Sequence, residues 1–132
     1  MDLIKLATAF RALQMYSHQA HNLAKGDCFF ADHEYFGELY SFAESSYDSL
    51  IERSIGKGKK PSLKSIVSDV NKIVSSLPED KFFEHCLILV KEIAKECEEL
   101  AKGESLGTNN LIAGLADSLE VHVYKLQRRL EK

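Results

Sequence analysis

Tryptophan is absent from the 132 residues, proline occurs twice, cysteine three times, and no long stretch is apolar or of one charge. Each scarcity removes a class of protein. Cys28, Cys86 and Cys97 are odd in number and form no C-x-x-C pair, which argues against a disulfide framework and against a thiolate zinc site. That usage fits a reducing, cytoplasmic setting. No apolar run approaches the roughly 18 residues that span a bilayer, and Met1 is followed by Asp2 instead of a basic segment and an apolar signal core. A soluble, unexported chain without a membrane partner is therefore expected. A net charge of -3, a pI near 5.9 and no basic tail ahead of the first apolar segment predict that DNA binding is weak or absent. Gly56 and Gly58 follow a helical pattern instead of a strand, so they do not form a phosphate-binding loop.

Apolar residues, by contrast, make up 45% of the chain, enough for a core in a single domain spanning residues 1–132. Their spacing is helical throughout. A first helix is expected over Leu3 to Lys25, with Leu6, Phe10, Leu13 and Ala20 on one face and Gly26 as its stop. A second runs from Asp32 to about Ile55, with Phe36, Leu39, Ala43, Tyr47 and Leu50 along one side. A short helix follows Pro61, carrying Ile66, Val70 and Ile73, and it should cap or bridge the others. Two more long helices are expected from about Glu79 and about Asn110. The pattern predicts an all-α fold, a four-helix bundle with a short helix in its long middle connection, which is the ferritin-like arrangement.

Two pairs of residues stand out chemically. His21 lies five residues before Gly26 and His33 seven after it, so an antiparallel hairpin brings both imidazoles to one end of the bundle. Neutral imidazoles are ligands for divalent transition metals. Asp48 and Glu52 are spaced i,i+4 and project from one helical face. Each pair alone has a plainer reading, surface or core histidines in the first case and a solvated acidic edge in the second. The pairs cannot meet within one chain, because the fifteen residues between His33 and Asp48 span about 22 Å of helix. If two such helices pack antiparallel about a two-fold axis, the histidine end of one chain meets the acidic segment of the other, and a metal centre results at the dimer interface.

The run from His21 to Glu34, with the Lys25-Gly26 turn inside it, then Tyr40, then Asp48 with Glu52 and Arg53, resembles the ferroxidase signature of the DNA-protection-during-starvation (Dps) mini-ferritins in residue type and spacing. The resemblance extends over nearly the whole chain. It implies that His21 and His33 of one subunit and Asp48 and Glu52 of its neighbour bind iron and catalyse oxidation of Fe(II), with peroxide or oxygen as oxidant. It further implies a homo-oligomer, a hollow dodecamer that stores Fe(III) and takes part in the response to oxidative stress. Two positions depart from the family's pattern. Gly37 stands where an aspartate is usual, a gap that Glu34 or Glu38 could partly fill, and Asn22 stands where an aromatic, usually tryptophan, follows the first histidine. The other reading that the departure allows is a shell impaired in ferroxidation that acts as a structural or DNA-associated protein.

The remaining candidates are less specific. His18, one turn before His21, is a surface or interface histidine, a further ligand or a proton relay, and His85 and His122 are expected to be structural. Lys57, Lys59, Lys60, Arg128 and Arg129 read as solubilising surface. The Glu-x-x-His element of intrahelical di-iron bundles does not occur, which argues against a metal site inside one bundle.

Overall fold

Asp2 accepts the Lys5 amide on its carboxylate at 2.9 Å, satisfying one of the free N–H groups with which every helix begins. In the computed structural model, which describes residues 2–132, this cap starts α1 (Leu3–Leu23). Four more helices follow: α2 (Phe29–Gly56), α3 (Leu63–Ser75), α4 (Phe82–Ala101) and α5 (Leu106–Leu130). No strand occurs among the described residues.

The two long hairpins, α1 with α2 and α4 with α5, pack together through α1 against α4 and α2 against α5. The core between them is built from three-, four- and seven-residue steps: Leu6, Phe10 and Leu13 of α1, Leu39, Ala43 and Leu50 of α2, Val90, Ile93 and Cys97 of α4, and Ile112, Leu119 and Leu126 of α5. α3 lies across α1, where Ile66 and Val70 bury against Ala12, so it bridges the bundle without joining its central core. The long connection is tied down at its far end by Tyr16, whose hydroxyl donates to the Pro78 carbonyl at 2.6 Å.

Three helices start away from their expected positions. α2 begins at Phe29 instead of Asp32, because Gly26 turns the chain at φ 86° and the Phe29 amide donates back to the Gly26 carbonyl, leaving three residues free to join the helix. α4 begins at Phe82 instead of Glu79, since Lys81 adopts the left-handed conformation at φ 44° that separates the Pro78 turn from the helix. α5 begins at Leu106 rather than near Asn110. The Asn109 side chain donates to the Ala101 carbonyl at the end of α4, which welds the two helices across a tight turn.

Candidate metal centre

His21 sits in the last turn of α1 and His33 in the second turn of α2, on either side of the Gly26 turn. Their rings stack with centroids 3.6 Å apart and planes 23° from parallel. The pairing is reciprocal. The Nδ1 of His21 lies 2.6 Å from the His33 carbonyl, and the Nδ1 of His33 lies 2.8 Å from the His21 carbonyl. Carbonyl oxygens only accept, so each Nδ1 carries a proton and donates it. In the neutral ring this tautomer leaves the Nε2 lone pair free, so Nε2 is the atom that could bind a metal, held in direction by the bond on the opposite nitrogen.

Local helix chemistry explains why both carbonyls are open to this exchange. α1 ends at Leu23, so the His21 carbonyl belongs to the last turn and has no amide four residues on to serve it. The His33 carbonyl lies inside α2, where the Gly37 amide takes one lone pair and the imidazole takes the other. An aromatic row continues from the pair. Phe29 stacks on His33 at 5.1 Å, Tyr40 meets His21 edge-on at 5.3 Å, and the exposed His18 stacks on Tyr40 at 4.1 Å with planes 12° apart. Both histidines are half-buried and reach the surface of the bundle.

Asp48 and Glu52 lie far along the same helix, exposed, and Glu52 borders an open depression of about 360 Å³ with Arg53 and Leu111. A single chain therefore brings His21 and His33 together and keeps Asp48 and Glu52 apart from them. No group of three or more His, Cys, Asp or Glu side chains among the described residues is arranged to hold a metal ion. At a rotation of 100° per residue, His33, Gly37, Ser41, Glu44, Asp48 and Glu52 fall on one side of α2. From Ser41 to Glu52 the members of that stripe are all exposed. Glu38, one of the two carboxylates that could have served in place of a side chain at position 37, is turned away and paired with Lys125 of α5 at 2.8 Å.

His122 is structural, as its isolation in the sequence suggested. It is buried on α5 and its Nδ1 is 2.9 Å from the Tyr35 hydroxyl, 87 positions away, a pairing for which the sequence carries no local signal. Burial pushes its pKa below the ordinary value, since the charged ring would lose its hydration. A histidine whose folded pKa is depressed contributes stability that is fully present above about 6.5 and is lost as pH falls through the folded value. The melting temperature should accordingly fall between pH 7 and pH 5, and His122→Gln, which keeps a polar partner for Tyr35, should flatten that fall. Identical pH profiles for the two proteins would assign the acid sensitivity to other groups.

Two antiparallel helical hairpins joined by a bridging helix, with an imidazole pair at the end of the first hairpin, define a ferritin-like bundle. No protein-family model matches the chain. DNA protection during starvation protein 2 of Bacillus anthracis is 30% identical over 128 aligned residues, which cover 87% of this chain and 84% of that protein. The chain belongs to the DNA-protection-during-starvation (Dps) family. Its fold is that of Dps from Thermosynechococcus elongatus, with a TM-score of 0.87 at 21% sequence identity over 98% of this chain and 88% of the other. The Vibrio cholerae O1 Dps protein, described as a member of a broad superfamily of ferritin-like diiron-carboxylate proteins, matches over 98% of this chain and 86% of its own, with a TM-score of 0.65 at 19% identity. None of the helices is long and apolar enough to cross a membrane among the described residues.

Proposed function

We propose that this protein binds Fe(II) between subunits, oxidises it with peroxide or oxygen, and stores the Fe(III) product inside a hollow homo-oligomer, a dodecamer by analogy with its family. The observation that carries this reading is the reciprocally locked His21/His33 pair, which presents two preset nitrogen donors at the protein surface. Two imidazoles bind Fe(II) with moderate affinity, while the carboxylates of Asp48 and Glu52 from a second subunit suit the harder Fe(III) product. The order of residues along α2 supports such a union. Ser41 lies eight residues after His33 and seven before Asp48, so a two-fold axis crossing α2 near Ser41 superimposes the histidine end of one chain on the acidic end of the other.

The roles divide accordingly. His21 and His33 hold the ion, Asp48 and Glu52 neutralise charge as it rises from two to three, and the half-buried setting limits loss of the ion to solvent. With peroxide as oxidant, two Fe(II) each give one electron, the O–O bond breaks, and two protons complete two waters. With oxygen, the same two electrons and two protons yield hydrogen peroxide. Anaerobic Fe(II) loading of the purified oligomer followed by peroxide, with Fe(III) read by its near-ultraviolet absorption, tests the reading. An intact oligomer that oxidised iron no faster than buffer would leave a shell without ferroxidase activity.

Association with DNA is expected to be weak. Lys57 pairs with Glu104, Lys59 with Asp2, Arg128 with Glu131 and Arg129 with Asp32, so four of the five basic residues that stand out in the sequence are answered within the chain. Phosphate binding relies on unpaired cations and collapses as salt rises. A gel-shift assay at about 150 mM salt should show free DNA, and a retarded band that persisted at that salt would contradict the expectation.

A further inference from the structure

We propose that Gly37 is the positioning residue for His21: the missing Cβ at this point of α2 is what allows the imidazole to close onto His33. A Cβ built on Gly37 would lie 3.3 Å from the His21 Nδ1 and 3.4 Å from its Cε1, tighter than side chains ordinarily pack. The same Nδ1 makes the 2.6 Å bond to the His33 carbonyl, which in the helix is also the acceptor of the Gly37 amide. Ring, carbonyl and glycine thus form one contact. A methyl group at position 37 would press on the ring edge that carries the donated proton, and the ring could retreat only by lengthening that bond or leaving the stack at 3.6 Å.

Glycine in the middle of a long helix is otherwise unfavourable, because it orders at greater entropic expense than any other residue and brings no side chain to the packing. Within the chain, neither backbone conformation nor a second close neighbour calls for it here. Gly37 has ordinary helical backbone, whereas Gly26 and Gly58 are the two glycines at positive φ. Nothing but His21 and the distant edge of Tyr40, at 4.0 Å, comes within reach of the built Cβ. The position next to His33 is therefore taken by the His21 ring, and a carboxylate introduced at residue 37 would compete with an imidazole ligand before it could supplement it. This inference rests on the proposed metal site only for its consequence. The packing itself is a property of the metal-free chain.

A double-mutant cycle in the metal-free oligomer isolates the contact. In a His21→Ala background the space above residue 37 is open, and Gly37→Ala should raise the melting temperature by about 4 °C through helix propensity alone. In the native background the same change should give no rise or a fall. A nitrogen-15 spectrum of the ring nitrogens should show His21 fixed as the Nδ1–H tautomer in the native protein and averaging between tautomers in Gly37→Ala. Titration with Co(II), followed by its visible bands, should show affinity falling roughly tenfold in Gly37→Ala and in Gly37→Asp alike, as expected when the orientation of a ligand is lost. Equal gains in melting temperature in both backgrounds, or an unchanged His21 tautomer in Gly37→Ala, would overturn the proposal. Tighter Co(II) binding by Gly37→Asp would overturn it as well, by showing that a carboxylate fits beside the ring. If the cycle behaves as expected and no variant oxidises iron, the ferroxidase reading fails and the role of Gly37 in placing His21 stands.

Discussion

His33→Ala should oxidise Fe(II) on the order of 100-fold more slowly than the native protein while keeping its helical content and its oligomeric state. The substitution removes one of the two proposed nitrogen donors and also the carbonyl lock on the other side, because the His33 ring donates to the His21 carbonyl and stacks on the His21 ring. The remaining imidazole then keeps its Nδ1 bond to the main chain but loses the surface against which it was held. Stability should change little, since His33 is only half-buried and belongs to the surface end of the hairpin. Asp48→Ala should produce a comparable loss of rate through the opposite defect, leaving the donors preset and the charge of the product uncompensated. Stopped-flow absorption at a fixed iron-to-subunit ratio distinguishes these cases. Native rates in both variants would move the centre elsewhere, whereas a loss that tracked loss of helix would mean the residues are structural.

Phe10→Ala should be the most damaging single change to the fold, at about 3–5 kcal/mol per chain. Phe10 is completely buried between α1 and α2 and meets Phe42 edge-to-face, with centroids 5.8 Å apart and planes at 82°. Its removal leaves a ring-sized cavity in the middle of the interface that also carries the histidine pair, and close-packed helices relax into such a space only in part. For a chain of this size the melting temperature should fall by about 10 °C or more. Circular dichroism melts measure it directly, and a fall smaller than about 3 °C would mean that the two helices are held mainly by something other than this core. On the proposed function the folded fraction should still oxidise iron, because every proposed ligand is retained.

What could be read in the sequence and what could not divides along physical lines. The faces of the helices were legible because burial follows the 3.6-residue period: Leu6, Phe10 and Leu13, or Leu119, His122 and Leu126, bury as their spacing requires. α3 was legible from Pro61 and the apolar steps after it, and Ser62 proves to be its cap, accepting the Ser65 amide. The helix starts were less legible because the turns that set them are not written in capping residues. Cys28 and Lys81 precede α2 and α4 without a side-chain cap, and Gly26 and Lys81 act through backbone conformation. At the candidate site, the proximity of His21 and His33 followed from the Lys25-Gly26 turn and the antiparallel hairpin. Their reciprocal bonds to each other's carbonyls did not, because such bonds depend on how two helix ends overlap in depth. The same holds for Gly37. In sequence it reads as a missing side chain beside His33, and only the placement of the His21 ring, within 3.4 Å of where a Cβ would stand, gives the absence a physical reason.

If each metal centre draws its nitrogens from one subunit and its carboxylates from another, mixing two inactive variants should restore activity. His33→Ala and Asp48→Ala oligomers, each inactive alone, are dissociated, mixed in equal amounts and reassembled. In a mixed pair one site combines the intact histidines of the Asp48→Ala chain with the intact carboxylates of the His33→Ala chain, while the other site is doubly defective. Random pairing makes half of the pairs mixed, so about a quarter of the native oxidation rate should return. Recovery near that fraction is the predicted result; a reassembled mixture as inactive as its parents would show that the histidines and carboxylates do not act together across the subunit boundary.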